Sequence, residues 1–184
     1  MLTWRAQDVS RMESVRVQVS GKRIRANGRI VAAATATNPA FGAYYDLQTD
    51  ETGATKRFGL TVTLAERERQ LAIARDEENM WLVTDHQGER RAGYNGALDV
   101  DVVFSPFFNA LPIRRVGLHE RADSVALPMV YVNVPEMSVA AELVSYASEG
   151  RPEEIKLRSP VADTVVSVDD EGFIVDYPGL AERI

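Results

Sequence analysis

Apolar and polar residues alternate along most of the chain. From Glu13 the order Glu-Ser-Val-Arg-Val-Gln-Val puts Val15, Val17 and Val19 on one side of an extended segment and Ser14, Arg16 and Gln18 on the other, the pattern of a half-buried strand. Gly21 follows, and Asn27-Gly28 is the dipeptide most typical of a tight hairpin, so Arg29–Thr37 is expected to return as the partner strand. Turn-forming gaps then recur about every ten residues. They separate candidate strands at Ala43–Thr49, Lys56–Ala65, Arg69–Arg75 and Met80–Asp85, with Asp50-Glu-Thr-Gly53, Asp76-Glu-Glu-Asn79 and His86-Gln-Gly88 between them. A second series comprises Ala97–Phe104, Ile113–His119, Val125–Val134, Ile155–Arg158, Val161–Val168 and Phe173–Tyr177.

One stretch, Ser138–Ser148, fits two templates. Val139, Leu143 and Tyr146 recur at helical spacing, yet the run is short and apolar, which leaves helix and strand both open. The expected fold class is all-β, or β-rich α+β, with at most one or two short helices. The chain has 184 residues, 45% of them hydrophobic and 26% charged, which fits one domain spanning 1–184 with its own core. Zero cysteines exclude disulfides, thiolate metal sites and a cysteine nucleophile together. Lys plus Arg number 21 against 27 Asp plus Glu, a net charge of −6, so no nucleic-acid partner is expected. Met1–Asp8 lacks the apolar stretch of a secretory signal, and Ile30–Tyr45 is interrupted by Pro39 and Gly42. The expectation is a cytoplasmic protein without a transmembrane segment.

Candidate chemistry concentrates in Leu98–Val116. Read as extended, Leu98–Phe104 places Asp99 and Asp101 side by side on one face, with Leu98, Val100, Val102 and Phe104 on the other. The following segment, bracketed by Pro106 and Pro112, carries Phe107, Phe108 and Leu111, more apolar than a solvated connection should be. As a loop it is expected to border a hollow. Arg114 and Arg115 come next and, as strand neighbours, would point to opposite faces, so at most one of them could easily meet the carboxylate pair. The same residues also suit a structural ion pair and a filled corner of the core.

Asp99-Val-Asp101, Pro106-Phe-Phe-Asn109 and Leu111-Pro-Ile-Arg-Arg115 resemble the signature of a family of glycolipid-binding proteins, also met as a domain of unknown function. The resemblance extends from Trp4-Arg5 and Glu13 to Gly172–Leu180 and Arg183. It implies a single-domain spiral β-roll, an antiparallel and barrel-like sheet related in shape to bacterial lipoprotein carriers, and a glycolipid as the class of ligand. Asp99, Asp101, Asn109, Arg114 and Arg115 match that signature directly. Phe108 stands where the family commonly has Thr, Ala110 where it has a hydroxyl residue, and Asn95-Gly96-Ala97 where it has Asp-Gly-Cys.

The expected function is therefore non-enzymatic binding of an amphiphilic small molecule in an apolar cavity with a polar end. Asp99, Asp101, Asn109, Arg114 and Arg115 would make the polar contacts, with Phe107 and Tyr131 beside them. A structural or homo-oligomeric interaction module is the alternative. A glycoside hydrolase using Asp99 and Asp101 is a further one, since i and i+2 carboxyls on a strand approach the spacing of a retaining pair. Ser105 lacks a nucleophile elbow, and His86 and His119 lack metal-ligand spacing. No catalytic residue, metal or cofactor is assigned. Trp81 reads as core packing, Ser105 as a turn residue.

Overall fold

The computed structural model describes residues Met1–Ile184. Alternation dominates it as expected. Eight strands run in sequence: β1 (Leu2–Ala6), β2 (Arg11–Ser20), β3 (Arg23–Ala32), β4 (Phe41–Thr49), β5 (Thr55–Thr63), β6 (Glu68–Arg75), β7 (Trp81–Asp85) and β8 (Gly88–Ala92). After β9 (Asp99–Val102) comes the one α-helix, α1 (Pro106–Val116), then β10 (Ala122–Val132), β11 (Val139–Glu149), β12 (Ile155–Arg158), β13 (Asp163–Val168), β14 (Ile174–Tyr177) and β15 (Ala181–Arg183). All fifteen strands belong to one sheet in the order β8 through β1, then β15 through β9. Neighbours are antiparallel except β9 and β10, which run parallel. The sheet does not close.

Its two ends overlap. Val100 and Val102 of β9 and Val130 and Val132 of β10 share one buried cluster with Leu71, Ile73, Trp81 and Val83 of β6 and β7. The Thr55 amide donates to the Leu98 carbonyl, and the Trp81 indole N–H to the Ala97 carbonyl. Hence β9 is buried on both faces, which turns the open sheet into a roll. Trp81 is core, as its alternation indicated.

Three sequence expectations need correction, and one open choice is decided. Asn27-Gly28 is not a turn: β2 and β3 pair continuously from Arg11↔Ala32 to Ser20↔Arg23, and the hairpin turns at Gly21. Gly28 sits inside the strand because the Tyr45 ring lies over it, and a β-carbon there would stand 2.1 Å from Tyr45 Cζ. The aromatic segment after β9 is a helix and not a loop. Ser105 is its N-cap residue, Pro106 occupies the first turn, and Gly117 (φ 84°) ends it with its amide bonded to the Ile113 carbonyl. The same helix absorbs most of the strand expected at Ile113–His119. Finally, Ser138–Ser148 resolves as strand, because β11 pairs with β10 along its whole length.

Helix α1 is buried all round from Pro106 to Ile113, the condition of a core helix. Phe107, Phe108, Ala110 and Leu111 belong to the cluster under the first half of the sheet, and Ile113 to that under the second half. Phe107 stacks between Tyr45 and Phe173, with ring centroids 6.0 and 6.3 Å away, while Phe108 meets Tyr45 and Phe58 at 5.0 and 5.4 Å. The oily segment thus fills the middle of the roll and does not border a hollow there. Trp4, fully buried, bonds from its indole N–H to the Ile174 carbonyl at 2.9 Å and ties β1 to β14.

Candidate functional site

The roll explains where the two aspartates go. Because β9 lies inside, Asp99 and Asp101 keep the shared face that alternation gives them, yet both are buried, at 0% and 6% exposure. Arg115 reaches Asp99 with Nε at 3.1 Å and Nη2 at 2.6 Å from Oδ2. This two-pronged contact suits a guanidinium and a carboxylate. Burial pushes Asp99 above the ordinary aspartate range and Arg115 pulls it back. The two arginines are successive residues of a helix and not of a strand, and Arg114 turns elsewhere. Its guanidinium lies 4.6 Å from the Phe173 ring centroid, and burial lowers its pKa.

Asp101 has no cation beside it. Burial, and then the charge of Asp99, push its carboxyl up to about 7, with only the Val102 backbone amide pulling down. Tyr131 stands opposite it in the parallel ladder. Tyr146 and Tyr177 feel the same carboxylate: in all three phenols burial raises the pKa first and the Asp101 charge second. Asn109 joins the group from α1, its Oδ1 accepting the Tyr146 hydroxyl at 3.1 Å. Of the residues singled out in the sequence, the structure therefore gathers Asp101, Asn109 and Tyr131 into one polar cluster, with the Asp99–Arg115 pair next to it. Phe107 and Arg114 lie apart from that cluster.

Tyr177 also lines a cleft of about 270 Å³, together with Phe104, Val161, Ala162, Pro178, Leu180, Asp163 and Thr164. Tyr177 belongs to both cleft and cluster. Phe104 (φ 72°) stands two residues after the end of β9, and Arg11 covers its ring at 4.7 Å. Tyr146 and Tyr177 were not singled out in the sequence. Tyr146 lay in the stretch that fitted two templates, and a strand reading would have put Val144, Tyr146 and Ser148 on its inner face.

A third buried carboxyl was not singled out in the sequence. Glu13 of β2 accepts the Tyr45 and Ser105 hydroxyls, both at 2.6 Å on Oε1, while Oε2 has no partner. It stands at the start of α1, where a negative charge is favoured. Desolvation outweighs this and pushes its carboxyl up to about 7, against the hydrogen bonds of Ser105, Tyr45 and the Phe107 amide. The signal was present: Glu13 shares the apolar face of Val15 and Val17. Ser105, read as a turn residue, is part of this network.

No curated protein matches the chain in sequence. In structure, the chain is similar to a DUF1089 family protein from Pseudomonas aeruginosa, with a TM-score of 0.76 over 98% of this chain and 95% of that one, at 22% identity. That likeness shows the fold, an all-β roll. No helix is long and apolar enough to cross a membrane. A family model described as "Putative glycolipid-binding" matches residues 1–183, and the chain belongs to that family.

Proposed function

We propose that the chain binds an amphiphilic small molecule with a hydroxyl-bearing head, a glycolipid by class, and holds it by the head. The observation that carries this reading is Asp101: a buried carboxyl with no cation and no side-chain partner, opposite Tyr131 in the ladder and felt by Tyr146 and by Tyr177, which itself lines an open cleft. Such a group accepts hydroxyl donors, and a site that loses water gains from each one it pairs. Size decides the orientation. A cleft of about 270 Å³ lies at the small end of ligand pockets, which run from about 300 Å³ upward, so it takes a headgroup and the first carbons of a tail. The tail then leaves past Phe104, Pro178 and Leu180.

Asn109 and Tyr131 serve this head as further polar contacts. Asp99 and Arg115 act behind them, since their mutual pairing fixes the charge next to Asp101. Phe107 and Arg114 act through packing, holding α1 against Phe173. Binding without turnover is the reading because Asp99, the second carboxyl a retaining glycosidase would need, is already engaged by Arg115.

Titration of isotopically labelled protein with octyl glucoside is expected to shift the amide signals of Asp101, Phe104, Tyr131 and Tyr177. Asp101→Asn should weaken this binding about tenfold, the effect of roughly one lost hydrogen bond to a charged group. Shifts confined to other parts of the roll, or an unchanged affinity in the variant, would overturn the assignment.

A further inference from the structure

The charge of the chain is divided unevenly. Residues 1–65, which contain β1 to β5, hold 9 Lys plus Arg against 5 Asp plus Glu, while residues 66–184 hold 12 against 22. The outward face of β2 to β5 concentrates the excess. Arg16, Arg25, Arg29 and Arg57 all stand exposed there. Arg16 faces Asn27 across the ladder, Gln48 lies between Arg25 and Arg57, and Arg29 is opposite Tyr44. None of the four takes part in an ion pair, in contrast to Arg5 and Arg23, which meet Glu182 and Glu51. Asp46 is the one acid among the outward positions of these strands. Strands lie about 5 Å apart and alternate residues roughly 7 Å apart, so Arg16 stands about 9 Å from Arg25 and from Arg29, and Arg25 about 10 Å from Arg57, each separation near one Debye length.

Leaving four arginines unpaired on one face of a chain with net charge −6 stores repulsion that a negatively charged surface would relieve. Large apolar side chains stand on the same face. Met12 and Val31 are direct cross-strand partners, 47% and 66% exposed. They line a groove of about 560 Å³ with Val9, Arg5 and Arg11. That groove leads to the cleft: Arg11 donates to the Leu180 carbonyl and covers Phe104, and the Gly179 amide donates to Gln7 Oε1.

We infer that the outward face of β2 to β5 docks on an anionic lipid bilayer, with Arg16, Arg25, Arg29 and Arg57 at the phosphates and Met12 and Val31 entering the interface. Charge complementarity selects an anionic partner. The exposed Met12–Val31 pair selects a bilayer, which offers apolar depth behind its phosphates, over a nucleic acid, whose phosphates stand in water. The charge division stands by itself. The further step, that docking brings the cleft next to a lipid whose tail stays in the bilayer, rests on the function proposed above.

Co-sedimentation with phosphatidylcholine vesicles, with and without phosphatidylglycerol, tests the surface. The protein should bind the mixed vesicles, release in high salt, and ignore pure phosphatidylcholine. One basic residue near an anionic membrane is worth about 1 kcal/mol, roughly fivefold in affinity, so Arg16→Glu, Arg25→Glu and Arg29→Glu together should lower binding at least 100-fold. Met12→Asp should weaken it as well. Equal binding to both vesicle types, full binding by the triple variant, or stronger binding to single-stranded RNA than to the mixed vesicles would overturn the inference. Octyl glucoside binding by the triple variant separates the two readings. Retained there while vesicle binding is lost, it supports both; absent even from the parent protein while vesicle binding persists, it removes the cleft and leaves the docking surface.

Discussion

Unfolding by urea should show this protein more stable at pH 5 than at pH 8, the reverse of what paired carboxylates usually produce. Glu13 and Asp101 are both pushed up to about 7 in the folded chain, by burial above all. Their ordinary values are 4.5 and 3.8, so between about pH 4 and pH 7 the folded state binds more protons than the unfolded one. Stability must then fall as pH rises through that window. At about 1.4 kcal/mol per pH unit, Glu13 alone costs the folded state about 3 kcal/mol once pH exceeds 7. Asp101 acts in the same direction. Below pH 4 the trend turns over, because Asp50 is held below its ordinary value by Thr52 and Arg75 despite its partial burial, and it loses those contacts when protonated. The maximum is therefore expected near pH 4. Glu13→Gln should flatten the fall between pH 5 and pH 8 and raise stability at pH 8. A protein that grows more stable from pH 5 to pH 8, with the variant following the same curve, would contradict the assignment of both carboxyls.

Gly28→Ala is the substitution expected to cost most for its size. A single added methyl would stand 2.1 Å from Tyr45 Cζ and 2.3 Å from its hydroxyl oxygen. The ring cannot swing aside freely, since it is fully buried against Phe58, Phe107 and Phe108, and its hydroxyl would leave Glu13 with one donor fewer. Overpacking costs typically 1–3 kcal/mol, and a buried group left unpaired costs a further 1–3, so a loss of about 3 kcal/mol is expected from denaturant unfolding. Backbone strain plays no part, because Gly28 lies within a regular strand. Tyr45→Ala should be costly in the parent, but much less so on top of Gly28→Ala, since the two share one contact. Simple additivity of the two losses would refute the steric explanation.

These two experiments probe a part of the molecule that period-two alternation locates only halfway. The rhythm of Val15, Val17 and Val19 indicates β2, and the matching rhythms of Ala43–Thr49 and Ile155–Arg158 indicate β4 and β12. Alternation is a local property, set by which side of a strand meets the core. It fails wherever both sides do. In β9 all four residues are buried, and in α1 eight consecutive ones are. Neither period two nor the helical period survives there, and Pro112 inside α1 adds a misleading stop signal. The short strands β8 and β15 carry too few apolar residues to announce themselves, and pairing with β7 and with β1 and β14 defines them. Asn27-Gly28 misled for the opposite reason. A dipeptide suited to a turn was placed there to admit a ring from the neighbouring strand.

By itself the sequence determined that this chain is a β protein with a buried tryptophan in β7, that Asp99 and Asp101 share a face, and, through the signature from Asp99 to Arg115, which family it belongs to. Only the tertiary structure decided what surrounds those residues. Overlap of the sheet's two ends put both aspartates in the interior. Helical geometry sent Arg115 to Asp99 and Arg114 to Phe173. Folding brought Tyr146 and Tyr177, 45 and 76 residues beyond Asp101, into reach of its carboxyl. The physical reason is one of range. Alternation and turn chemistry act between neighbours in the chain, whereas burial of a charge, and hence its pKa and its need for a partner, depends on every segment that packs around it.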